Sequence, residues 1–195
     1  MRFLTLFLCF IFLAIACSYG QSQSSFFVEN KGQWQENILA KVDLPAGALF
    51  LENNKLTFNF VDHQIVKDAH DKLTPITTLK AHSYHWEFLD ANPTEISFSK
   101  ELEGKYNYFL RGTNTSNVSR YEQSTYTNVY QGIDYRIYGY GSSLKYDWVV
   151  RQGADPTNIK LKLEGIDNAR LDKDGRLIIK SSVNHIIEEA PYAYQ

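Results

Sequence analysis

Two short runs with a strict two-residue period constrain the fold of this 195-residue chain more than any other feature. The apolar positions are Ile133, Tyr135 and Ile137 in the first run and Leu144, Tyr146, Trp148 and Val150 in the second. Such alternation is typical of half-buried β-strands. Residues 139–143, between the runs, contain glycine and serine, which readily adopt turn conformations. The stretch therefore predicts an antiparallel hairpin.

The charges in these runs predict the register of the hairpin. Placing Tyr135 opposite Trp148 gathers the apolar residues on one face and sets Arg136 opposite Asp147. A slip of one residue would bury the charges, because the side-chain period of a strand is two. We therefore interpret the Arg136–Asp147 pair as one that sets the register rather than as a catalytic pair.

Turn signals and short apolar runs predict further strands along the chain. Hairpins are expected around residues 52–55 and around the Asp172–Gly175 turn, since Asp-Gly between apolar runs is a strong hairpin signal. Residues 62–80 lose the alternation and predict a long surface loop, and the polar run 112–117 predicts a loop tip. No segment keeps a helical period over three turns. The predicted fold is all-β, an antiparallel β-sandwich-like domain built of hairpins with little helix.

The N-terminus has the composition of an export signal. After a basic second residue, the run 3–16 is apolar and the small residues Cys17, Ser18 and Gly20 follow. This pattern predicts a secretory signal peptide over residues 1–20, too short to span a bilayer. Two processing routes remain open, an ordinary cut after Gly20 and lipid attachment at Cys17, which would give a lipoprotein. The ordinary cut removes both cysteines, so the mature chain would have no disulfide.

The remaining 175 residues (195 − 20) are expected to form one domain, residues 21–195. The formal charge of −2 arises from 20 basic and 22 acidic residues spread along the chain. Without a basic block, the chain is not expected to bind nucleic acid. No second apolar run approaches the roughly 20 residues of a membrane span, so we predict no transmembrane segment in the mature chain.

Metal binding receives little support from the sequence. His82 and His85 are three residues apart, which places them on opposite faces of a strand. Asp172 and Asp174 resemble the start of a calcium loop, but no acidic residue completes its ligand set. We predict a hairpin turn there, with no metal and no cofactor.

Catalytic chemistry also lacks a local motif. The mature chain has no cysteine, and none of its serines lies in a G-x-S-x-G elbow. A glycosidase could pair carboxylates from distant positions, and Asp134, Asp147 and Glu164 are the candidates. Each occupies an outward position of an alternating strand, where a solvated face is expected. We predict no catalytic residue and keep a polysaccharide hydrolase domain as the second alternative function.

Nine of the 13 tyrosines cluster between residues 106 and 146. In a β-rich domain of this size, most such rings belong to the core and the sheet surface. Exposed rings could instead line a glycan-binding or protein-binding face. A carbohydrate-binding module that uses exposed tyrosine and tryptophan rings is therefore the first alternative function.

Six stretches occur in the order of a known family. They are residues 27–34 (FVENKGQW), 106–109 (YNYF), 130–134 (YQGID), 144–147 (LKYD), 153–156 (GADP) and 190–195 (APYAYQ). With them the chain resembles the N-terminal domain of unknown function of secreted and cell-surface proteins of Bacteroidota. In such proteins this domain commonly precedes SBBP-type β-propeller, PKD or immunoglobulin-like repeats and a type IX secretion sorting domain.

The resemblance implies an exported, non-catalytic accessory module of an adhesin-like or repeat-type protein. It supplies no active site, so no residue is given a catalytic role from it. The expected location is extracellular or on the outer cell surface. The expected partners are downstream repeat domains of the same polypeptide, and a glycan or a surface protein is a further possibility. In the family, additional strands follow the C-terminal motif, so the domain is expected to be truncated at its C-terminal end.

Overall fold

The computed structural model describes residues 25–72, 78–110 and 112–194, and the predicted signal peptide, residues 1–20, lies outside them. The strands are β1 (Phe27–Glu29), β2 (Ala40–Leu44), β3 (Gly47–Leu51), β4 (Lys55–Val61), β5 (Ala81–Phe88), β6 (Glu95–Glu101), β7 (Tyr106–Leu110), β8 (Thr113–Val118), β9 (Arg120–Tyr130), β10 (Ile133–Tyr140), β11 (Ser143–Val150), β12 (Leu161–Glu164), β13 (Asn168–Leu171), β14 (Leu177–Lys180) and β15 (His185–Glu188). Helix α1 (His63–Lys72) and a 3₁₀ turn (Pro156–Asn158) complete the described elements.

Antiparallel pairing joins these strands into three sheets. The largest has ten strands in the order β11, β10, β9, β1, β2, β3, β4, β5 and β12, with β6 also paired to β9. Tyr121 of β9 pairs with both Phe27 of β1 and Glu101 of β6, so β1 and β6 lie on opposite edges of β9. Strands β13, β14 and β15 form a second sheet, and β7 and β8 a third. The all-β, antiparallel prediction is confirmed.

The large sheet curls until its two ends face each other. The ring of Phe88 on β5 lies 5.5 Å from Tyr126 of β9, 5.2 Å from Tyr135 of β10 and 5.7 Å from Trp148 of β11, measured between ring centroids. Strand β5 is not a neighbour of these strands within the sheet, so the contacts cross the interior. Two packed layers thus come from one sheet, which gives the sandwich-like arrangement its core.

The central hairpin has the predicted register. Tyr135 pairs with Trp148, and Arg136 pairs with Asp147. The connection is tighter than predicted, because Tyr140 already pairs with Ser143 and only two residues lie between them. One of the two is Gly141, whose φ of 58° suits the absence of a side chain.

The described part of residues 62–80 does not form the predicted long loop, because residues 63–72 form α1; residues 73–77 lie outside the described residues. The Asp62 carboxylate accepts hydrogen bonds from the backbone N–H groups of Gln64 (3.0 Å) and Ile65 (3.3 Å), which caps the start of the helix. Ten residues are too few to show a sustained helical period, so the loop prediction was wrong. Within the described ranges, no helix has the length and apolar character needed to cross a bilayer.

The polar run 112–117 is not a loop tip, since most of it belongs to β8, which pairs with β7. This pairing satisfies backbone groups along one edge of β8, so the strand forms without the apolar alternation from which strands were predicted. Phe26 and Trp34 pack edge-on against Tyr106 and Tyr108 of β7, with ring centroids 5.9 and 5.8 Å apart. This small aromatic cluster joins the β7–β8 pair to the segments that flank β1.

The three-stranded sheet docks on the curled sheet through a few contacts. Ile179 of β14 has no exposed surface and belongs to the main core. The His82 ring lies 2.9 Å from the Ser182 hydroxyl and 2.6 Å from the Gly165 carbonyl oxygen. Gly165 has a φ of 82°, and a Cβ added there would lie 2.9 Å from the Ser83 carbonyl oxygen. A glycine is therefore required where the chain passes β5.

Candidate functional site

The clustered tyrosines lie mostly within the fold. Tyr126, Tyr130 and Tyr135 are buried; Tyr106, Tyr108, Tyr121, Tyr138 and Tyr146 are partly buried; Tyr140 is exposed. The Lys145 ammonium lies 3.6 Å from the centre of the Tyr140 ring, so a cation already covers the exposed ring. This cluster therefore does not provide an open platform of rings for a sugar.

Two buried tyrosines connect parts of the chain through their hydroxyls. The Tyr126 hydroxyl donates to the Glu52 carbonyl oxygen at 2.8 Å, and the Tyr130 hydroxyl donates to the Lys160 carbonyl oxygen at 2.7 Å. These bonds tie β9 to the turn before β4 and to the segment before β12. The tyrosines thus satisfy backbone groups inside the fold, which is a structural use of the phenol.

A carboxyl group points toward the tyrosines where the C-terminal sheet meets the curled sheet. Glu188 of β15 lies near Tyr146 of β11, and burial raises its pKa to about 7, while interaction with the Tyr146 hydroxyl lowers it in part. Burial is the main cause that raises the pKa values of Tyr84 and Tyr135, and the Glu188 charge raises both further. We call these four residues the Glu188 cluster. Near neutral pH its carboxyl can take up a proton.

Three hydroxyl and N–H groups in and beside the Glu188 cluster have no hydrogen-bond partner among the residues that the structure describes. They are the Tyr84 hydroxyl, the Tyr135 hydroxyl and the Trp86 Nε1–H group. Burial raises the pKa of both phenols, so they remain neutral donors. The Glu188 cluster thus combines one buried acid with neutral hydrogen-bond donors. It can bind a proton, but it does not contain two carboxyl groups. The sequence contained a signal for it, because Glu188 shares the inward parity of Ile186.

The three candidate carboxylates each contact a basic group on the outward side of their strand. Asp134 lies 2.5 Å from the Arg151 guanidinium and accepts a hydrogen bond from the Asn128 backbone N–H at 2.7 Å. Asp147 lies 2.7 Å from Arg136, its predicted cross-strand neighbour. Each of the two carboxylates thus forms an ion pair with an arginine, as expected for residues that set the strand register or lie on the surface.

Glu164 has a similar arrangement on β12, in the opposite part of the curled sheet. Its carboxylate pairs with the Lys162 ammonium and lies 3.0 Å from the His85 ring. These two partners lower the pKa of Glu164. Glu164 therefore lies apart from the other two candidates. Asp134 and Asp147 are diagonal neighbours on the outer face of the β10–β11 hairpin, and an arginine pairs with each of them.

The two histidines make different contacts, as expected from opposite faces of β5. His82 reaches Ser182 and Gly165, whereas His85 reaches Glu164 on the neighbouring strand. Among the described residues, no group of three or more histidine, cysteine or acidic side chains is arranged to hold a metal ion.

Asp172 has the turn role predicted from the Asp-Gly motif. Its Oδ1 atom accepts hydrogen bonds from the backbone N–H groups of Asp174 (2.9 Å) and Arg176 (3.0 Å). Its Oδ2 atom lies 2.7 Å from the Arg176 guanidinium, and the hydrogen bond to Arg176 is the main cause that lowers the pKa of Asp172. The carboxylate is thus occupied by the β13–β14 turn.

One exposed pair of rings was not singled out from the sequence. Tyr192 and Tyr194, after β15, are 84% and 71% exposed, and their ring centroids lie 6.1 Å apart with 25° between the ring planes. The spacing of two residues was a possible signal, because it places two side chains of an extended segment on the same side.

Comparison with known proteins places this chain in a family. The family model described as Domain of unknown function (DUF7948) matches residues 27–195, which takes in every strand from β1 to β15. No curated protein and no solved structure matches the chain. Because the match covers most of its length, the chain belongs to the DUF7948 family of domains of unknown function.

Proposed function

We propose that this chain is an exported, non-catalytic module of a larger cell-surface protein of the adhesin or repeat type. The observation that carries the proposal is the state of its carboxylates: Asp134, Asp147 and Glu164 are each held by a basic side chain. A glycosidase needs two carboxyls that face each other across a substrate, about 5 to 10 Å apart. The resemblance to N-terminal domains of Bacteroidota surface proteins supports the same role.

Surface exposure tests the location. Intact cells that express the native gene are treated with a protease that does not enter them, and the chain is followed by immunoblot. We expect it to be degraded in intact cells, together with any in-frame repeats encoded downstream of it. Protection until the cells are lysed would contradict the proposal.

Activity assays test the absence of catalysis. The purified chain is incubated with a panel of neutral and acidic polysaccharides, and reducing ends are measured over time. We expect no release above that of a heat-denatured sample. Release that is lost in Asp134→Asn or Glu164→Gln would instead favour the polysaccharide hydrolase alternative.

The N-terminus of the exported protein separates the two processing routes. A cut after Gly20 gives a mature chain that begins at Gln21, whereas lipid attachment gives a diacylglyceryl group on Cys17. Intact-mass analysis distinguishes them. We expect the unmodified form beginning at Gln21, and a lipid-modified mass would place the chain on the membrane surface through its anchor.

Glycan binding through aromatic rings is the second candidate function, and the exposed pair Tyr192 and Tyr194 favours it. A sugar that stacks on these two tyrosine rings would lose its contact surface when the tyrosines are replaced. Binding to neutral polysaccharides is compared for the unmodified chain, the double variant Tyr192→Ala/Tyr194→Ala and the control Tyr140→Ala. Loss of binding in the double variant alone would support this function, and no binding by any of the three would contradict it.

A further inference from the structure

The outer face of the three-stranded sheet carries side chains in cross-strand rows. One row runs Asn168, Lys180, His185 across β13, β14 and β15, and the next runs Arg170, Ile178, Ile187. Neighbouring strands are about 4.8 Å apart, so residues within a row are in contact distance and diagonal neighbours lie about 7 to 8 Å apart. Arg170 and Lys180 are diagonal neighbours, and both can therefore reach one bound group.

These rows enclose a depression that is open to solvent. Its volume is about 180 Å³, and it is lined by Asn168, Arg170, Ile178, Lys180 and His185. Ile178 is its apolar element, and polar side chains surround it. We call this depression the β13–β15 pocket.

The polar groups of the β13–β15 pocket have no partner within the described part of the chain. No side-chain hydrogen bond or ion pair there involves Asn168, Arg170, Lys180 or His185. Arg176, in the turn just before β14, is by contrast 2.7 Å from Asp172 and 3.7 Å from Asp174. The cation at one end of the sheet is therefore paired with carboxylates, while the end that holds the pocket presents two cations that have no ion-pair partner among the described residues.

We propose that the β13–β15 pocket binds a uronate unit of an acidic polysaccharide. Arg170 and Lys180 supply the cations that a carboxylate requires. The Asn168 amide and the His185 imidazole can each donate and accept hydrogen bonds, which suits sugar hydroxyls. Ile178 offers a small apolar contact for the ring.

The lining separates this ligand class from others. No aromatic ring lines the pocket, so it lacks the stacking surface that binds neutral sugars. The net charge of −2 and the two unpaired cations do not provide the basic surface that a nucleic-acid backbone requires. The proposal adds a ligand to the proposed non-catalytic role. It rests on that role in one respect, namely that the pocket holds the polymer without cleaving it.

Calorimetric titration with polygalacturonate, at about 150 mM salt so that long-range attraction is screened, tests the proposal. We expect saturable binding that Arg170→Gln and Lys180→Gln each weaken about tenfold or more, because each removes a charge-assisted hydrogen bond. Lys173→Gln is the matched control. Lys173 is exposed in the β13–β14 turn, and its replacement changes the net charge by the same amount without touching the pocket. Thermal melts verify that each variant is folded.

Two further polymers distinguish the alternatives. Dextran should not bind, because it is neutral, and polyglutamate should bind at least about tenfold more weakly than polygalacturonate, because it lacks sugar hydroxyls. Equal weakening by Lys173→Gln, equal binding of polyglutamate, or no binding of polygalacturonate would each overturn the proposal. The chain length of the polymer is measured after titration. A shortened polymer would overturn the non-catalytic role while leaving the binding site in place.

Discussion

The β10–β11 and β13–β14 hairpins show the same alternation in sequence but differ in burial. On β10, the inward residues Ile133 and Tyr135 have no exposed surface. On β13, Leu171 occupies the corresponding kind of position and is 70% exposed, and only Ile179 of its partner strand is fully buried. Strand β10 faces β5 across the core, whereas β13 lies at the edge of a small sheet. Alternation therefore tells which face a side chain is on, but not whether another layer covers that face.

The largest effect is expected in the central hairpin. Trp148→Ala removes a ring whose centroid lies 4.8 Å from Tyr135 and 5.7 Å from Phe88, and should cost about 3 to 5 kcal/mol of unfolding free energy. Val150→Ala, on the same strand but 41% exposed, is the control and should cost under about 1 kcal/mol. Denaturant unfolding measures both. Equal costs would show that the two layers are not held by this contact.

A smaller loss is expected where the C-terminal sheet docks. Ile179→Ala should cost about 3 kcal/mol, because it empties a fully buried site. Ile187→Ala, at a residue that is 52% exposed on the outer face, should cost under about 1 kcal/mol. Hydrogen exchange should also increase in β13–β15 for the first variant. If exchange there were already fast in the unmodified chain, the docking contacts would be weaker than the burial of Ile179 indicates.

The Glu188 cluster should make the stability depend on pH. The unfolded chain releases the Glu188 proton near the ordinary pKa of 4.5, while the folded chain keeps it up to about pH 7. Between these values the unfolded state binds fewer protons, so stability falls as the pH rises. The full shift would correspond to about 3 kcal/mol, and partial contact of the carboxyl with water reduces our expectation to about 2 kcal/mol.

Denaturant unfolding between pH 4.5 and 7 checks this expectation. Glu188→Gln should remove the decline, because the amide cannot ionise, and Glu189→Gln should preserve it. The difference between the two variants isolates the Glu188 contribution from carboxylates such as Asp172, whose pKa is lowered. A decline that persists in Glu188→Gln would assign the pH dependence to other groups.

The smallest effect is expected on the outer face of the central hairpin. Asp147→Asn should cost under about 1 kcal/mol, since the ion pair with Arg136 is partly exposed to water. Arg136→Gln should give a similar value. Denaturant unfolding at low and high salt measures the pair, and a loss above about 2 kcal/mol would show a contribution that surface screening does not allow.

The sequence predicted the central hairpin well because the alternation and the charge pair constrained it together. It predicted α1 and β8 wrongly for a shared reason, since neither carries a long apolar period. The start of α1 depends on the Asp62 cap, and β8 depends on pairing with β7. The candidate carboxylates were correctly placed on outward faces. The Glu188 cluster was missed because one acidic residue in an apolar strand does not reveal what it will face.

The sequence by itself determined the strand periodicity, the hairpin turns at Gly141 and Gly175, and the register in which Tyr135 meets Trp148. These features depend on neighbouring residues and on a period of two. Only the tertiary structure decided that β5 faces β10 and that Glu188 lies among tyrosines. It also decided that Arg170 and Lys180 line one depression. Such contacts join residues far apart in sequence, and they form only when the sheet curls and its apolar faces leave water.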